Sequence, residues 1–124
     1  GEQQRVQIAR VLTQLGESVA GRIAIFDEPI ANLDISQQLR CMTIARSLAD
    51  RGAAVMVSVH DLNFAARFSD RVVLLDGGCV VSDDVPEQAL SCEHVSRVFD
   101  VDVHRTEVGP GIHQLVFNPS NHVS

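Results

Sequence analysis

The sequence has 124 residues, of which 45% are hydrophobic and 21% charged, and its formal net charge is −6. These values indicate a folded domain with a modest core and exclude an intrinsically disordered chain. The negative charge argues against nucleic acid as the main partner, and no apolar run approaches the length of a membrane span. Three scattered cysteines without a Cys-x-x-Cys spacing predict reduced thiols in a cytosolic protein.

The first sixty residues alternate between helical and strand patterns. Apolar residues at helical spacing predict helices over residues 4–15 and 35–51, and Gly52 ends the second of them. Residues 22–27 and 53–59 are apolar at consecutive positions, which is typical of buried parallel strands. This order of elements predicts an α/β fold with a parallel sheet.

The second half of the chain contains shorter elements. Asp61 is predicted to cap a helix over residues 61–68. Strands over residues 71–75 and 79–82 flank Asp-Gly-Gly, which is a hairpin signal. We divide the chain into a core domain over residues 1–84 and a C-terminal extension over residues 85–124. The extension is predicted to hold two short helices and a last antiparallel pair, at residues 86–90, 93–99, 101–108 and 112–117.

Asp27 and Glu28 stand at the end of the first predicted strand. Open parallel sheets bind their ligands beyond the carboxyl ends of the strands, and neighbouring side chains of a strand point in different directions. One carboxylate can therefore hold Mg²⁺ while the other orients or deprotonates a water that attacks a phosphate. The simpler interpretation, to which the spacing alone gives equal weight, is that an acidic pair before Pro29 opens a solvated turn.

Two further residues are candidates for binding a phosphate. His60 ends the second strand, so we expect it at the same sheet edge, where it can donate a hydrogen bond to a phosphate. Taken alone, a histidine at a helix start more often has no ligand. Gly1 opens the first helix and could expose backbone N–H groups to an anion, but an ordinary polar cap accounts for it equally well.

Four segments, in this order, resemble the motifs of ABC-transporter ATPases. GEQQRVQIARVL resembles the tail of the signature motif, Leu-Ser-Gly-Gly-Gln/Glu-x-Gln-Arg, and IAIFDEP resembles the Walker B strand. ANLD resembles the D-loop, and VSVHDLNFAARFSDRVVLLDGG resembles the switch-histidine segment with the strand after it. The resemblance is strong over residues 1–82 and loose beyond them. Within the family, the chain is most similar to the ATPases of haem, iron-siderophore and cobalamin importers.

The resemblance implies the C-terminal half of a P-loop NTPase core whose ligands are ATP and Mg²⁺. Asp27 matches the Walker B aspartate that helps to hold Mg²⁺. Glu28 matches the general base or water-positioning glutamate, and His60 matches the switch histidine on the γ-phosphate. The implied activity is ATP hydrolysis coupled to import, here of haem or a related iron complex.

The family also implies partners. Asp34 matches the D-loop aspartate, which bridges the two nucleotide sites of a homodimer. Gly1 and Glu2 match signature positions that contact the nucleotide held by the partner subunit. The full protein is expected to dock on membrane permease subunits at the cytoplasmic face, and to touch the membrane only through them.

The sequence departs from the family pattern in several places. It contains no lysine, so the phosphate-binding loop GxxxxGK[ST] is absent, as are the adenine-stacking aromatic and the glutamine loop. We therefore expect a fragment that binds ATP weakly and does not hydrolyse it alone. Ile30 replaces the usual Thr, Phe26 the usual Leu, and Asp84-Val85 the usual Gly-Thr. Ile30 is expected to change local packing rather than the chemistry.

Three alternatives remain. An ABC ATPase of repair or translation would carry longer insertions than the short stretch between the signature and Walker B segments allows. A decayed, inactive remnant would follow if the natural chain began at Gly1. A receiver-like α/β domain would need a lysine near its acidic site.

Overall fold

The computed structural model describes residues 2–120, and at positions 3, 4 and 7 it describes the backbone alone. The chain divides into two units, residues 1–60 and residues 61–124. Among the described residues, no helix is long and apolar enough to cross a membrane.

The first unit is built around a parallel pair of strands. Its elements are α1 (Glu2–Leu15), β1 (Ile23–Asp27), α2 (Ile35–Asp50) and β2 (Ala54–Ser58). The strands pair in parallel, from Ile23 opposite Ala54 to Asp27 opposite Ser58. Because α2 connects two parallel strands, both strands end at the same edge of the sheet. The predicted helices and strands of this half are confirmed, with shifts of a residue or two at their ends.

Burial and a glycine fix the position of α2. The predicted apolar face is buried through Cys41, Met42, Ala45 and Leu48. Gly52 follows the helix with φ +99°, and a Cβ there would lie 3.3 Å from the backbone of Ala20. Only glycine adopts this conformation at so close an approach without strain, which is why the chain turns into β2 at this residue.

The prediction that both strands are buried is wrong for the described residues. Along β1, only Ala24 and Phe26 are buried, whereas Ile23 is 73% and Ile25 67% exposed. Met56 of β2, which pairs with Ile25, is exposed on the same face. Consecutive apolar residues point alternately to the two faces of a sheet, so such a run buries both faces only if both are covered. Within the described residues, one face of the pair is covered and the other is not.

The second unit consists of short helices and two hairpins. The hairpin of β3 (Val72–Asp76) and β4 (Cys79–Asp84) and the antiparallel pair of β5 (Val101–Gly109) and β6 (Ile112–Pro119) confirm the two predicted antiparallel pairs. The helices are α3 (Leu62–Phe68), α4 (Pro86–Ala89) and α5 (Cys92–Phe99). Asp61 caps α3 as predicted, because its carboxylate accepts the backbone N–H groups of Asn63 and Phe64.

Apolar packing and one side-chain amide hold the second unit together. Ala89, Leu90 and Val95 are almost completely buried. The Asn63 Nδ2 donates to the carbonyl of Leu115 at 3.2 Å, and its Oδ1 accepts the N–H of Leu115 at 2.9 Å. This amide satisfies both backbone groups of a strand residue, which ties α3 to β6. The three cysteines of the chain are free, and burial raises the pKa of the Cys41 thiol.

Candidate active site

The candidate active site lies at the carboxyl edge of the β1–β2 pair. Asp27 is the last residue of β1 and stands opposite Ser58, the last residue of β2. The Ser58 Oγ donates a 2.6 Å hydrogen bond to the Asp27 Oδ1. Because paired residues of neighbouring strands point to the same face, the strand register brings these two side chains together. Ser58 was not predicted as a site residue, since a serine near the end of an apolar strand carries no signal without that register.

Glu28 leaves the strand in an unusual backbone conformation. Its φ is +47°, in the left-handed region that non-glycine residues rarely adopt. The backbone N–H of Glu28 donates to the Ser58 Oγ at 2.7 Å, and its carbonyl accepts the N–H of Ala31 at 3.2 Å. The chain therefore turns sharply at Glu28, as the following proline predicts, and the turn is anchored to β2 by one hydroxyl group.

His60 reaches the same edge from the end of β2. Its Nε2 lies 2.5 Å from the Glu28 Oε1, within hydrogen-bond distance. The two side chains are 87% and 50% exposed, respectively, so both can be approached from solvent. The structure thus brings Asp27, Glu28 and His60 together, as the sequence predicted, and Ser58 lies among them.

Asp34 stabilises the start of α2. It is the N-cap of α2, and its Oδ1 accepts the backbone N–H of Gln37 at 2.8 Å. Such a cap satisfies one of the N–H groups that a helix start leaves without a partner. The structure therefore gives Asp34 a local structural role that the sequence analysis did not consider, beside the role at a dimer interface that remains a prediction.

The loop between Glu28 and Asp34 carries the substitution Ile30. Its side chain is 7% exposed and belongs to the core of the first unit. Its carbonyl accepts hydrogen bonds from the Gln38 Nε2 and from the N–H of Leu33, both at 3.3 Å. An apolar side chain at this position therefore packs inward, while the backbone of the turn keeps its hydrogen bonds.

Of the two predicted signature residues, only Glu2 is among the described residues. Glu2 is exposed in the first turn of α1, where a negative charge suits the helix dipole. Gly1 lies outside the described residues. The predictions for both residues stay predictions.

The side chains at the sheet edge suit a metal ion that takes most of its ligands from phosphate and water rather than from the protein. No group of three or more His, Cys, Asp or Glu side chains among the described residues could hold a metal ion. Mg²⁺ needs only one or two protein carboxylates when phosphate oxygens and waters complete its shell. The Asp27 carboxylate, a hard oxygen donor fixed by Ser58, fits that requirement.

A small cleft adjoins the site on the side of α1. Its volume is about 190 Å³, and Arg10, Phe26, Asp27 and Pro29 are among its lining residues. Pockets that enclose a small-molecule ligand usually have volumes of about 300–1,000 Å³. This cleft can therefore take up part of a nucleotide at most, in agreement with the missing phosphate-binding loop.

Comparison with known proteins identifies relatives. No family model matches the chain. It is 48% identical over 103 residues to the haemin import ATP-binding protein HmuV of Pseudomonas fluorescens, covering 83% of this chain and 40% of that protein. The protein of the same name from Vibrio parahaemolyticus is 44% identical over 118 residues, which cover 91% of this chain and 45% of that protein.

A solved structure agrees with this result. An inward-facing metal-chelate type ABC transporter matches with a TM-score of 0.63 at 15% sequence identity, over 82% of this chain and 41% of the matched chain. At that identity the match shows the fold alone, and it confirms the predicted α/β core. The chain spans about 40% of the length of the curated relatives that it matches. Over the segment that it spans, the chain is similar to ATP-binding proteins of ABC transporters.

Proposed function

We propose that this chain is the C-terminal part of the ATP-hydrolysing subunit of an ABC importer for haem or a related iron complex. One observation supports this proposal above the others. Asp27, Glu28 and His60 lie at one sheet edge, where Asp27 bonds to Ser58 and His60 pairs with Glu28, in a chain that is 48% identical to a haemin import ATP-binding protein. Substrate and reaction are inferred from those relatives, whose full length exceeds that of the chain.

Each side chain would have a task in phosphoryl transfer, and the geometry of the sheet edge supports these roles. Asp27 would hold Mg²⁺, which neutralises phosphate charge when bound. Glu28 would orient the attacking water and accept its proton. His60 would donate a hydrogen bond to the terminal phosphate. Because its Nε2 now pairs with the Glu28 carboxylate, binding of the phosphate would exchange one acceptor of the imidazole for another.

The remaining parts of the site must come from outside the chain. A sequence without lysine cannot form a GxxxxGK[ST] loop, so another segment or subunit must supply the triphosphate cradle. Gly1 and Glu2 would contact the nucleotide of a second ATPase subunit, and Asp34 would lie at the interface of that homodimer. Permease subunits would recruit the pair to the cytoplasmic face of the membrane.

The test begins with the polypeptide at its natural length, purified from its source cells. We expect a mass well above 13.5 kDa, Mg²⁺-dependent ATP hydrolysis, and co-purification with a permease. Glu28→Gln should lower turnover by about 100-fold or more, because it removes the base but keeps the side-chain shape. The control Glu17→Gln makes the same change at an exposed loop position and should leave turnover intact.

Each other outcome contradicts a stated part of the proposal. Turnover that survives Glu28→Gln excludes Glu28 as the base. A natural mass near 13.5 kDa without turnover favours the inactive remnant. Turnover without a permease partner favours an ABC ATPase that is not a transporter.

A further inference from the structure

We propose that Ser58 is a positioning residue that holds the Asp27 carboxylate and the backbone of Glu28 through one hydroxyl group. This inference rests on the proposed function, because it concerns the residues assigned there to Mg²⁺ and to water. Ser58 itself would touch neither ATP nor the metal. It would act through Asp27 and through the backbone of Glu28.

The hydroxyl group of Ser58 is both a hydrogen-bond donor and a hydrogen-bond acceptor. The Oγ donates its only proton to the Asp27 Oδ1 at 2.6 Å, and it accepts the backbone N–H of Glu28 at 2.7 Å. A hydroxyl group is the smallest side-chain group that can donate and accept at once. Alanine, valine or leucine at this position would break both links together.

The link to Asp27 restricts a metal ligand. A free aspartate at the end of a strand samples several rotamers, and each is populated at the expense of the one that binds. A hydrogen bond to one carboxylate oxygen selects an orientation and leaves the other oxygen available for a cation. Mutation of a residue that hydrogen-bonds to a metal ligand typically lowers metal affinity or activity by about 10–100-fold.

The link to Glu28 stabilises a strained turn. A residue with a side chain at φ +47° persists only where its surroundings stabilise that conformation. Ser58 supplies such a restraint, because its Oγ accepts the one backbone N–H whose direction this φ sets. If the restraint is lost, the Glu28 side chain is free to move away from the His60 imidazole, with which it now pairs at 2.5 Å.

The strand register explains why a single residue can perform both tasks. Asp27 and Ser58 are paired across β1 and β2, so the Ser58 side chain lies beside Asp27 on the same sheet face. Glu28 follows directly, and its N–H turns back toward β2. Val57 and Val59, the neighbours of Ser58, alternate to the opposite face and cannot replace it.

The experiment compares Ser58→Ala with Ser58→Thr in the polypeptide at its natural length. Threonine keeps the hydroxyl group and suits a strand, whereas alanine removes the hydroxyl group. Ser82→Ala is the matched control, because it deletes the hydroxyl group of a β4 residue, which donates to the Ala89 carbonyl of α4. The measurements are ATP turnover, the Mg²⁺ concentration at half-maximal rate, and amide hydrogen exchange at Glu28.

We expect Ser58→Ala to raise the half-maximal Mg²⁺ concentration and lower turnover, each by about tenfold. Ser58→Thr should restore both, and Ser82→Ala should change neither. The Glu28 amide should exchange faster in Ser58→Ala than in the unaltered protein or in Ser58→Thr. A purely structural role would affect unfolding but would not give this combination of Mg²⁺ dependence and rescue.

The results separate this inference from the proposed function. If the unaltered protein hydrolyses ATP and Ser58→Ala does so at the same rate and Mg²⁺ dependence, the positioning role is wrong. If the unaltered protein has no turnover, the proposed function fails, and the Glu28 amide then decides the role of Ser58. If the Glu28 amide exchanges faster in Ser58→Ala but not in Ser58→Thr, the positioning role is supported. Equal exchange in all variants overturns it.

Discussion

The imidazole of His60 lies 2.5 Å from the carboxylate of Glu28, although the residues are 32 positions apart in the chain. Glu28 follows β1 and His60 follows β2 by two residues, and the two strands are parallel. The contact therefore depends on the β1–α2–β2 crossover and on the left-handed turn at Glu28. The stability of the turn at Glu28 and the chemistry of the Glu28 side chain can therefore be tested separately.

The backbone of Glu28 should be more stable with glycine than with alanine. Both Glu28→Gly and Glu28→Ala remove the carboxylate, but only glycine adopts φ +47° without strain. The left-handed conformation costs a non-glycine residue about 1–2 kcal/mol, and the greater chain entropy of unfolded glycine offsets part of this difference. Urea unfolding should show Glu28→Gly to be more stable than Glu28→Ala by up to about 1 kcal/mol. Equal stabilities would mean that the turn is not strained.

The carboxylate of Asp34 should contribute to stability through its cap. Asp34→Ala removes the acceptor for the N–H of Gln37 and should lower the free energy of unfolding by about 1 kcal/mol. Asn caps helices about as well as Asp, so Asp34→Asn should be nearly neutral in the same unfolding measurement. A loss of ATP turnover in Asp34→Asn at unchanged stability would then report the proposed dimer role. A large destabilisation by Asn would contradict the cap.

Restoring the usual family residue at position 30 should destabilise this chain. Ile30 is buried, so Ile30→Thr would lose apolar contacts and place a hydroxyl group in the core. We expect a loss of about 2 kcal/mol in thermal or denaturant unfolding. Ile30→Val is the control, since it removes one methylene group without adding a polar atom and should cost about 1 kcal/mol. A threonine variant as stable as the valine variant would show that the hydroxyl group finds a partner in the turn.

The ion pair between Arg71 and Asp83 should make the hairpin of the second unit sensitive to acid. The Arg71 Nε donates to the Asp83 Oδ1 at 2.5 Å, and this hydrogen bond holds the pKa of the carboxyl below its ordinary value of 3.8. A lowered pKa in the folded state stabilises the fold at pH values above 3.8, and the contribution is lost as the pH falls through the folded pKa.

The variant Asp83→Asn tests this pH dependence. It should be less stable than the unaltered chain at neutral pH, and the two should converge as the pH falls below the folded pKa of the carboxyl, where the carboxyl is protonated in both states. The gap should be small, because the pair is exposed and solvent screens it. Asp102→Asn removes a charge at an exposed position of β5 and is the control. A gap that stays constant as the pH is lowered would contradict an ionic origin.

The sequence contained most of the secondary structure. Consecutive apolar residues predicted β1 and β2, helical spacing predicted α2, and glycine at the turns marked both where α2 ends and where β3 turns into β4. These features depend on neighbours within a few positions of the chain, so a local pattern is sufficient to find them. The grouping of Asp27, Glu28 and His60 was also predictable, because parallel strands joined by a helix end at one edge.

Only the tertiary structure decided which atoms pair at that edge and which strand faces are buried. The link from Ser58 to the Asp27 carboxylate and to the Glu28 backbone depends on the register of β2 against β1, and a shift of one residue would turn Ser58 to the opposite face. The exposure of Ile23 and Ile25 depends on which elements cover the sheet, which an apolar run does not state. The sequence by itself determined the elements and the motif residues through short-range spacing. Contacts across some thirty residues, and with them the geometry of the site, follow from strand pairing that exists only in the folded chain.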